Sequence, residues 1–304
     1  MHFNEPQHKY FKKNIDEQNN FISASGIVKL YETPYDSFYW SLYKAYEFLA
    51  WRELKGEHLT ITDYLEKKPQ EVKDYFRQYR ISFKFKDYAL FDHLRMYIDE
   101  NAASKVQNYI LKVWKEINKV SIIKGNGLHD TKEAEALSLD IVTNPFTGNS
   151  IPVIKCNKWI TSDTKVRTVD LNNLADGYYA ELILDHDYKL GQSDKIWKEG
   201  NFFWIDDWKT NKKLNFTNGF DRMQYPVDHL DDCNWEHYKL QLSYYIHILE
   251  QYGYECKGSR LTHCIYDENT NIWTYKKYDF QHYTKEIANI LVDIEFKRYT
   301  NEQN

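Results

Sequence analysis

The sequence predicts an α/β fold, and three observations carry that expectation. Short runs rich in aromatic and aliphatic residues at 177–186, 193–197 and 201–209 read as strands, parted by polar turns at Asp185-His186-Asp187 and Lys198-Glu199-Gly200. Helical periodicity takes over at 235–252, and Gly253 is well placed to end that helix. Strand-like runs at 260–266 and 272–278 then flank the turn Asp267-Glu268-Asn269-Thr270 and lead to a last helix over about 282–298. Upstream, a break at Gly125-Asn126-Gly127 precedes a helix carrying His129, Glu133 and Leu137, and Asn144-Pro145-Phe146-Thr147-Gly148-Asn149 is a turn-forming cluster. From Gly127 the order is helix, three strands, helix, strand pair, helix, which describes an α/β layered domain.

The first part of the chain reads differently. Apolar and aromatic patches at 8–11 and 21–25, separated by the polar run 14–20, suggest a hairpin leading into a helix. Between 35 and 119 the pattern is mostly helical: Tyr39, Leu42, Tyr43, Tyr46 and Leu49 recur at spacings of three and four, as do Tyr109, Val113 and Ile117. Thr60 followed by Asp63 looks like a helix start, and the polar segment 69–80 opens with proline as helices often do. The expected organisation is a hairpin plus helical subdomain over 1–120, an arm or lid, and a core over 121–304 that ends in a strand pair and helix. No internal repeat or low-complexity linker interrupts it.

At 304 residues the chain suffices for one sizeable domain with an appended subdomain, or for two small ones. With 42% hydrophobic and 28% charged residues it has the composition of a folded protein, not a disordered one. Aromatics reach 17%, led by 26 tyrosines, a side chain that packs, hydrogen-bonds and stacks on unpaired bases. A formal charge of −5 argues against a protein that coats nucleic acid through a general positive field. A site that collects carboxylates around a divalent metal is compatible with it, because the bound ion reverses the local charge. Cys156, Cys233, Cys256 and Cys264 form no CxxC pair, so reduced structural thiols are expected. No signal segment opens the chain and no apolar run approaches a bilayer span, so the expected location is the cytoplasm, with no membrane partner.

The strongest chemical signal is the run Phe202-Phe203-Trp204-Ile205-Asp206-Asp207-Trp208-Lys209-Thr210. Strand side chains alternate, so Phe203, Ile205, Asp207 and Lys209 share one face, with Trp204, Asp206 and Trp208 on the other. Thirteen positions before Asp207, Gly191-Gln192-Ser193-Asp194 opens the preceding strand. If the two strands pair as a hairpin, Asp194 and Asp207 converge, and two carboxylates hold a hard divalent cation. Lys209 beside them can orient or deprotonate a water and stabilise phosphate charge. A lone Asp-x-Lys is more often an ordinary ion pair. Two further constellations add weight: His129 and Glu133 lie four apart on one helical face, and so do Gln241 and Tyr245, with Tyr238 one turn earlier. Gln241 is hard to explain as core, since a buried amide needs partners at both ends.

The order of these pieces resembles the PD-(D/E)xK nuclease superfamily, within it the RecB-like exonuclease branch. The matching residues are Gly127, His129 and Glu133; Gly191-Gln192-Ser193-Asp194; Asp207-Trp208-Lys209-Thr210; and Gln241 with Tyr245, so the resemblance covers about 125–252. The opening segment, with His8-Lys9-Tyr10 and Ile22-Ser23-Ala24-Ser25, also looks like phage-encoded members and suggests a phage or mobile-element source.

The resemblance implies a restriction-endonuclease-like core and a set of roles. His129, Asp194, Asp207 and the backbone carbonyl of Trp208 would bind one or two Mg²⁺ or Mn²⁺ ions. Lys209 would be the catalytic lysine, with Glu133 assisting through a second metal or a water. Gln241, Tyr245, Tyr238 and Thr210 would steady the active-site face or the DNA backbone, and Glu181 is a further carboxylate candidate. The implied reaction is hydrolysis of DNA phosphodiester bonds, more as an exonuclease than an endonuclease, in replication, recombination or repair. Arg80, Lys84, Lys86, Tyr88 and Arg95 of the helical part could close over a strand and enforce a free end. Expected partners are DNA and a single-strand annealing protein, helicase or other replication or recombination protein. Two departures matter: the cysteine spacing does not suit the iron–sulfur cluster of some RecB-like relatives, and no GxxxxGK[ST] loop is present, so neither a cluster nor a nucleotide cofactor is expected. The competing reading is a nuclease-fold protein that binds DNA or a partner without cutting.

Overall fold

The computed structural model describes residues 2–4, 9–11, 21–55, 58–80 and 88–302. Two compact units divide the chain: 34–122 form one, and 1–33 join 123–304 in the other. The helical unit thus ends near 122, and the first 33 residues go with the C-terminal part. Strands β1 (His2–Asn4), β2 (Lys9–Phe11) and β3 (Ile22–Ser23) and helix α1 (Ala24–Tyr31) belong with the C-terminal core. The expected hairpin between the patches at 8–11 and 21–25 does not form either. β2 pairs with β1, and β3 runs parallel to Lys189–Leu190. Residues 14–20 lie outside the described residues, as do Lys84 and Lys86.

The helical unit contains α2 (Ser37–Leu49), which runs into a π-helical turn at Ala50–Leu54, then α3 (Ile61–Lys67), α4 (Gln70–Arg80) and α5 (Ala89–Leu94). The three-four spacing of Tyr39, Tyr46 and Leu49 buries them around Phe76, Phe91 and Leu94, with the rings of Tyr46 and Phe91 stacked at 5.2 Å. Thr60 caps α3 as its spacing suggests, its hydroxyl accepting from the Asp63 amide at 3.1 Å.

Helix α6 (Glu100–Leu137) is continuous through Gly125-Asn126-Gly127, so the expected break is absent. Glycine inside a helix costs only about 1 kcal/mol relative to alanine and ends it only when it turns left-handed. Neither Gly125 nor Gly127 has a positive φ.

Beyond α6, β4 (Ile141–Thr143) and β5 (Ser150–Ile154) form a hairpin around the Asn144–Asn149 turn, with Gly148 at φ 80°. Next come β6 (Asn157–Trp159), β7 (Thr164–Arg167), β8 (Gly177–His186), β9 (Lys189–Glu199) and β10 (Phe202–Lys209). Helix α7 (Asn234–Glu250), strands β11 (Glu255–Asp267) and β12 (Ile272–Phe280) and helix α8 (Thr284–Glu302) complete the chain. The last seven of these match the sequence pattern; β4 to β7 are short and were not legible in it.

The central sheet has the order β12-β11-β10-β9-β8-β5-β4, with β3 added against β9. It is mixed: β10 with β11 and β5 with β8 are parallel, while β8, β9 and β10 form an antiparallel meander. Helices α1, α7 and α8 bury their apolar stripes against one face, where Leu240, Tyr244, Ile248 and Ile290 meet Tyr179, Phe203 and Ile205. On the other face Tyr178, Trp197 and Trp204 pack with the β4–β5 hairpin and Ala136 of α6. A second sheet, β2-β1-β7-β6, stands beside it. No helix among the described residues is long and apolar enough to cross a membrane.

Opposite the main core, the Lys195 ammonium donates to Asp206 at 2.6 Å and lies 3.2 Å from the centre of the Trp208 ring, while Thr262 donates to the same carboxylate at 2.8 Å. Removing one partner of such a buried pair leaves the other charge uncompensated. Asp206→Ala should therefore lower the unfolding free energy by about 3–5 kcal/mol in urea titrations. A loss under 1 kcal/mol would mean that the pair does not anchor β9 to β10.

Candidate active site

The meander fixes the first part of the site. β9 and β10 pair with Asp206 opposite Lys195, so the next positions along, Asp207 and Asp194, come together on the α7 face. The Trp208 amide donates to Asp194 Oδ2 at 2.6 Å. Asp207 is only 1% exposed and forms an ion pair with Lys209. The expected convergence of Asp194, Asp207 and Lys209 is thus present.

α7 supplies the support for the lysine. Lys209 Nζ donates to Gln241 Oε1 at 3.0 Å, and the Gln241 amide donates to the Tyr245 hydroxyl at 2.8 Å. This answers the need of a buried amide for partners at both ends. The ammonium also sits 4.8 Å from the centre of the Tyr238 ring. Gly191 makes the arrangement possible, since a Cβ there would fall 2.3 Å from the Tyr245 ring. Gly125 has a similar part: a Cβ on it would meet the Thr210 hydroxyl at 3.1 Å, which seats α6 against the end of β10.

The second part is a cluster of possible metal ligands. His129 of α6, Glu181 of β8 and Asp194 of β9 each present a ligand atom, all within 4.8 Å of one another. The imidazole Nδ1 lies 3.2 Å from Glu181 and 3.4 Å from Asp194. Gln192 holds the other oxygen of Glu181 at 2.6 Å. Glu181 reaches this place through an unusual backbone, with φ at 53° in the middle of a strand. Its side-chain parity shifts there: Tyr179 before it and Leu182 and Leu184 after it all enter the same core, where strict alternation would part them. Such local strain costs about 1–3 kcal/mol and concentrates at functional sites.

The electrostatics follow from burial. Desolvation works against a charged His129, yet Asp194 and Glu181 outweigh it and hold its pKa up at about 11. Burial and the Asp194 charge push Asp207 up to about 7 despite Lys209. Burial opposes ionisation of Asp194, but His129 and Lys209 keep its pKa below the usual carboxylate range. Lys209, disfavoured by burial, is held charged by Asp207 and Asp194. Two carboxylates and an imidazole, compensated by a proton on His129, form a donor set that could hold a metal ion in exchange for that proton.

Several residues take places the sequence did not specify. Glu181, a secondary candidate by sequence, sits in the cluster, whereas Asp207 is drawn to Lys209. At Trp208 the backbone amide donates to Asp194. Glu133 points into the same cavity but pairs with Lys165 at 2.7 Å, and Lys165 also lies 4.6 Å from the centre of the Trp159 ring. Lys165 has no motif around it, and strand β7, which carries it, left no pattern in the sequence; Gln192 lies within the 191–194 motif, but nothing in that motif marks it as the partner of Glu181. His129, Glu133, Lys165, Glu181, Asp194, Asp207 and Lys209 line one cavity of about 350 Å³, bordered by Phe3 and the start of α1. The four cysteines are free thiols, and none of them lines this cavity.

No family model matches the chain, and neither a curated protein nor a solved structure does.

Two measurements test the site. Gly191→Ala should destabilise the fold by about 1–3 kcal/mol through overpacking, and in a Tyr245→Ala background the same substitution should cost well under half as much. In calorimetric titration with Mn²⁺, Asp194→Ala and Glu181→Ala should each weaken binding by about tenfold or more. Unchanged affinity in both variants would remove the cluster from consideration as a metal site.

Proposed function

We propose that this protein is a Mg²⁺- or Mn²⁺-dependent nuclease that hydrolyses DNA phosphodiester bonds on a restriction-endonuclease-like core of the PD-(D/E)xK type. The observation that carries this reading is the meeting of Asp194, Asp207 and Lys209 from two adjacent antiparallel strands with His129 and Glu181 at one cavity. Motif order and geometry agree on it, although the pieces are spread over 81 positions from His129 to Lys209.

His129, Glu181 and Asp194 would hold the cation, and Asp207 stands next to it as a further oxygen donor. A divalent ion there supplies Lewis-acid polarisation of the phosphate ester and offsets its negative charge. The chain's own groups do the rest. Lys209 carries a positive charge that can stabilise the phosphate or hold the attacking water by hydrogen bonding. Gln241 and Tyr245 fix its direction, which limits the ammonium to one side of the cavity. Glu133, held by Lys165, offers a second carboxylate for the water proton. His129, Asp194, Asp207 and Lys209 are all side chains competent for their roles, which favours an enzyme over a non-cleaving binding protein. The sequence resemblance adds exonucleolytic action in phage or mobile-element DNA metabolism, beside a single-strand annealing protein or helicase.

Cleavage of linear and covalently closed circular DNA should be compared in Mg²⁺, Mn²⁺ and EDTA. Loss of linear DNA alone, and only with metal, is the expected result. Lys209→Ala and Asp207→Asn should each lower the rate by about 10²-fold or more while circular dichroism stays that of the parent. Cleavage by both variants at the parent rate would exclude this mechanism.

A further inference from the structure

Helix α6 separates two cavities. Asn126, His129, Asp130 and Glu133 face the metal cluster, whereas Lys124, Gly127, Thr131 and Lys132 line a second cavity of about 320 Å³ with Tyr266, Trp273 and Tyr275 of the β11–β12 hairpin. We infer that this second cavity is a stacking site for unpaired bases of a single-stranded nucleic acid, an inference that rests on the nuclease reading for its choice of nucleic acid as ligand.

Three features point to that occupant. The wall is aromatic and only partly covered: Tyr266 and Trp273 lie 5.0 Å apart, and Tyr275, 41% exposed, contacts Trp208 at 5.7 Å. Bases of any sequence stack on such faces. The rim is basic at those same rings, with Lys124 5.1 Å from the centre of Tyr266 and Lys132 5.5 Å from that of Tyr275. Their partners, Glu268 and Glu135, are solvent-exposed carboxylates, and surface pairs of this kind yield readily to a phosphate.

The third feature is Gly127. It sits inside a helix, where alanine would be the better residue, and a Cβ on it would meet nothing within 4 Å. Gly125 and Gly191 are each explained by a neighbouring side chain; Gly127 is not. The space above its bare backbone belongs to the aromatic cavity, where it leaves room for a flat ring. A further cavity of about 320 Å³ shares Lys132 and Glu135 and continues past Trp208 and Trp197 to Tyr178, giving a track longer than one base. Slots of this size admit a base but not a duplex, so the ligand is single-stranded.

The test is fluorescence anisotropy with fluorescein-labelled dT20 in Mg²⁺, on the full chain carrying Lys209→Ala to prevent cleavage. Trp273→Ala and Tyr275→Ala should each weaken dT20 binding by about tenfold. Gly127→Leu should weaken it similarly while Tm stays at or above that of the parent, a combination that a structural role for the glycine would not give. Binding of a 20-base-pair duplex should be unaffected by all three. Equal dT20 affinity in parent and variants, or no dT20 binding by the parent, would overturn the inference. Failure of the nuclease reading would show elsewhere, as a wild-type chain inert on linear DNA that still binds dT20 through these residues.

Discussion

The burial of three carboxylates around two cations governs this structure. Glu181, Asp194 and Asp207 are 7%, 7% and 1% exposed, and His129 and Lys209 are the cations placed against them. Such a cluster repels itself unless its charges are held in fixed positions. The antiparallel register of β9 and β10 provides them, by setting Asp194 beside Asp207 and giving Asp194 the Trp208 amide. On the reverse face of the same two strands, Lys195 and Asp206 make a second buried pair. The two acid–base pairs, one turned to each side of the sheet, make a slip of one residue costly in either direction.

The helices can be understood as responses to this sheet. α7 carries Gln241 and Tyr245 to Lys209, and the absence of a side chain at Gly191 lets the Tyr245 ring come down onto β9. α6 brings His129 across the end of the sheet, with Gly125 against Thr210. The reversal of parity at Glu181 turns its carboxylate into the cavity without a gap in the apolar core on either side. The metal-ligand cluster and the lysine are therefore parts of one packing solution.

Much of this was legible in the residues. The strands carrying Asp194 and Asp207 announce themselves by aromatic and aliphatic runs, and α7 by a three-four stripe ended at Gly253. Elsewhere the local signal misled. The glycines at 125 and 127 look like a helix end, yet the surrounding residues keep helical hydrogen bonding, and a glycine alone does not stop it. The patches at 8–11 and 21–25 look like partners, but each is claimed by a different strand of the core. β7 is four residues long, too short for alternation to stand out, and so Lys165 went unmarked.

The sequence by itself determined the α/β class, the order of strands and helices after residue 177, and the meeting of Asp194, Asp207 and Lys209. These depend on local periodicity and on a hairpin between neighbouring segments. Only the tertiary structure decided that Glu181 completes the cluster with His129, that Glu133 turns to Lys165, and that the first 33 residues join the core. The first depends on a left-handed backbone at a residue with no glycine to signal it; the others depend on pairings between segments more than 30 positions apart, which no local pattern encodes.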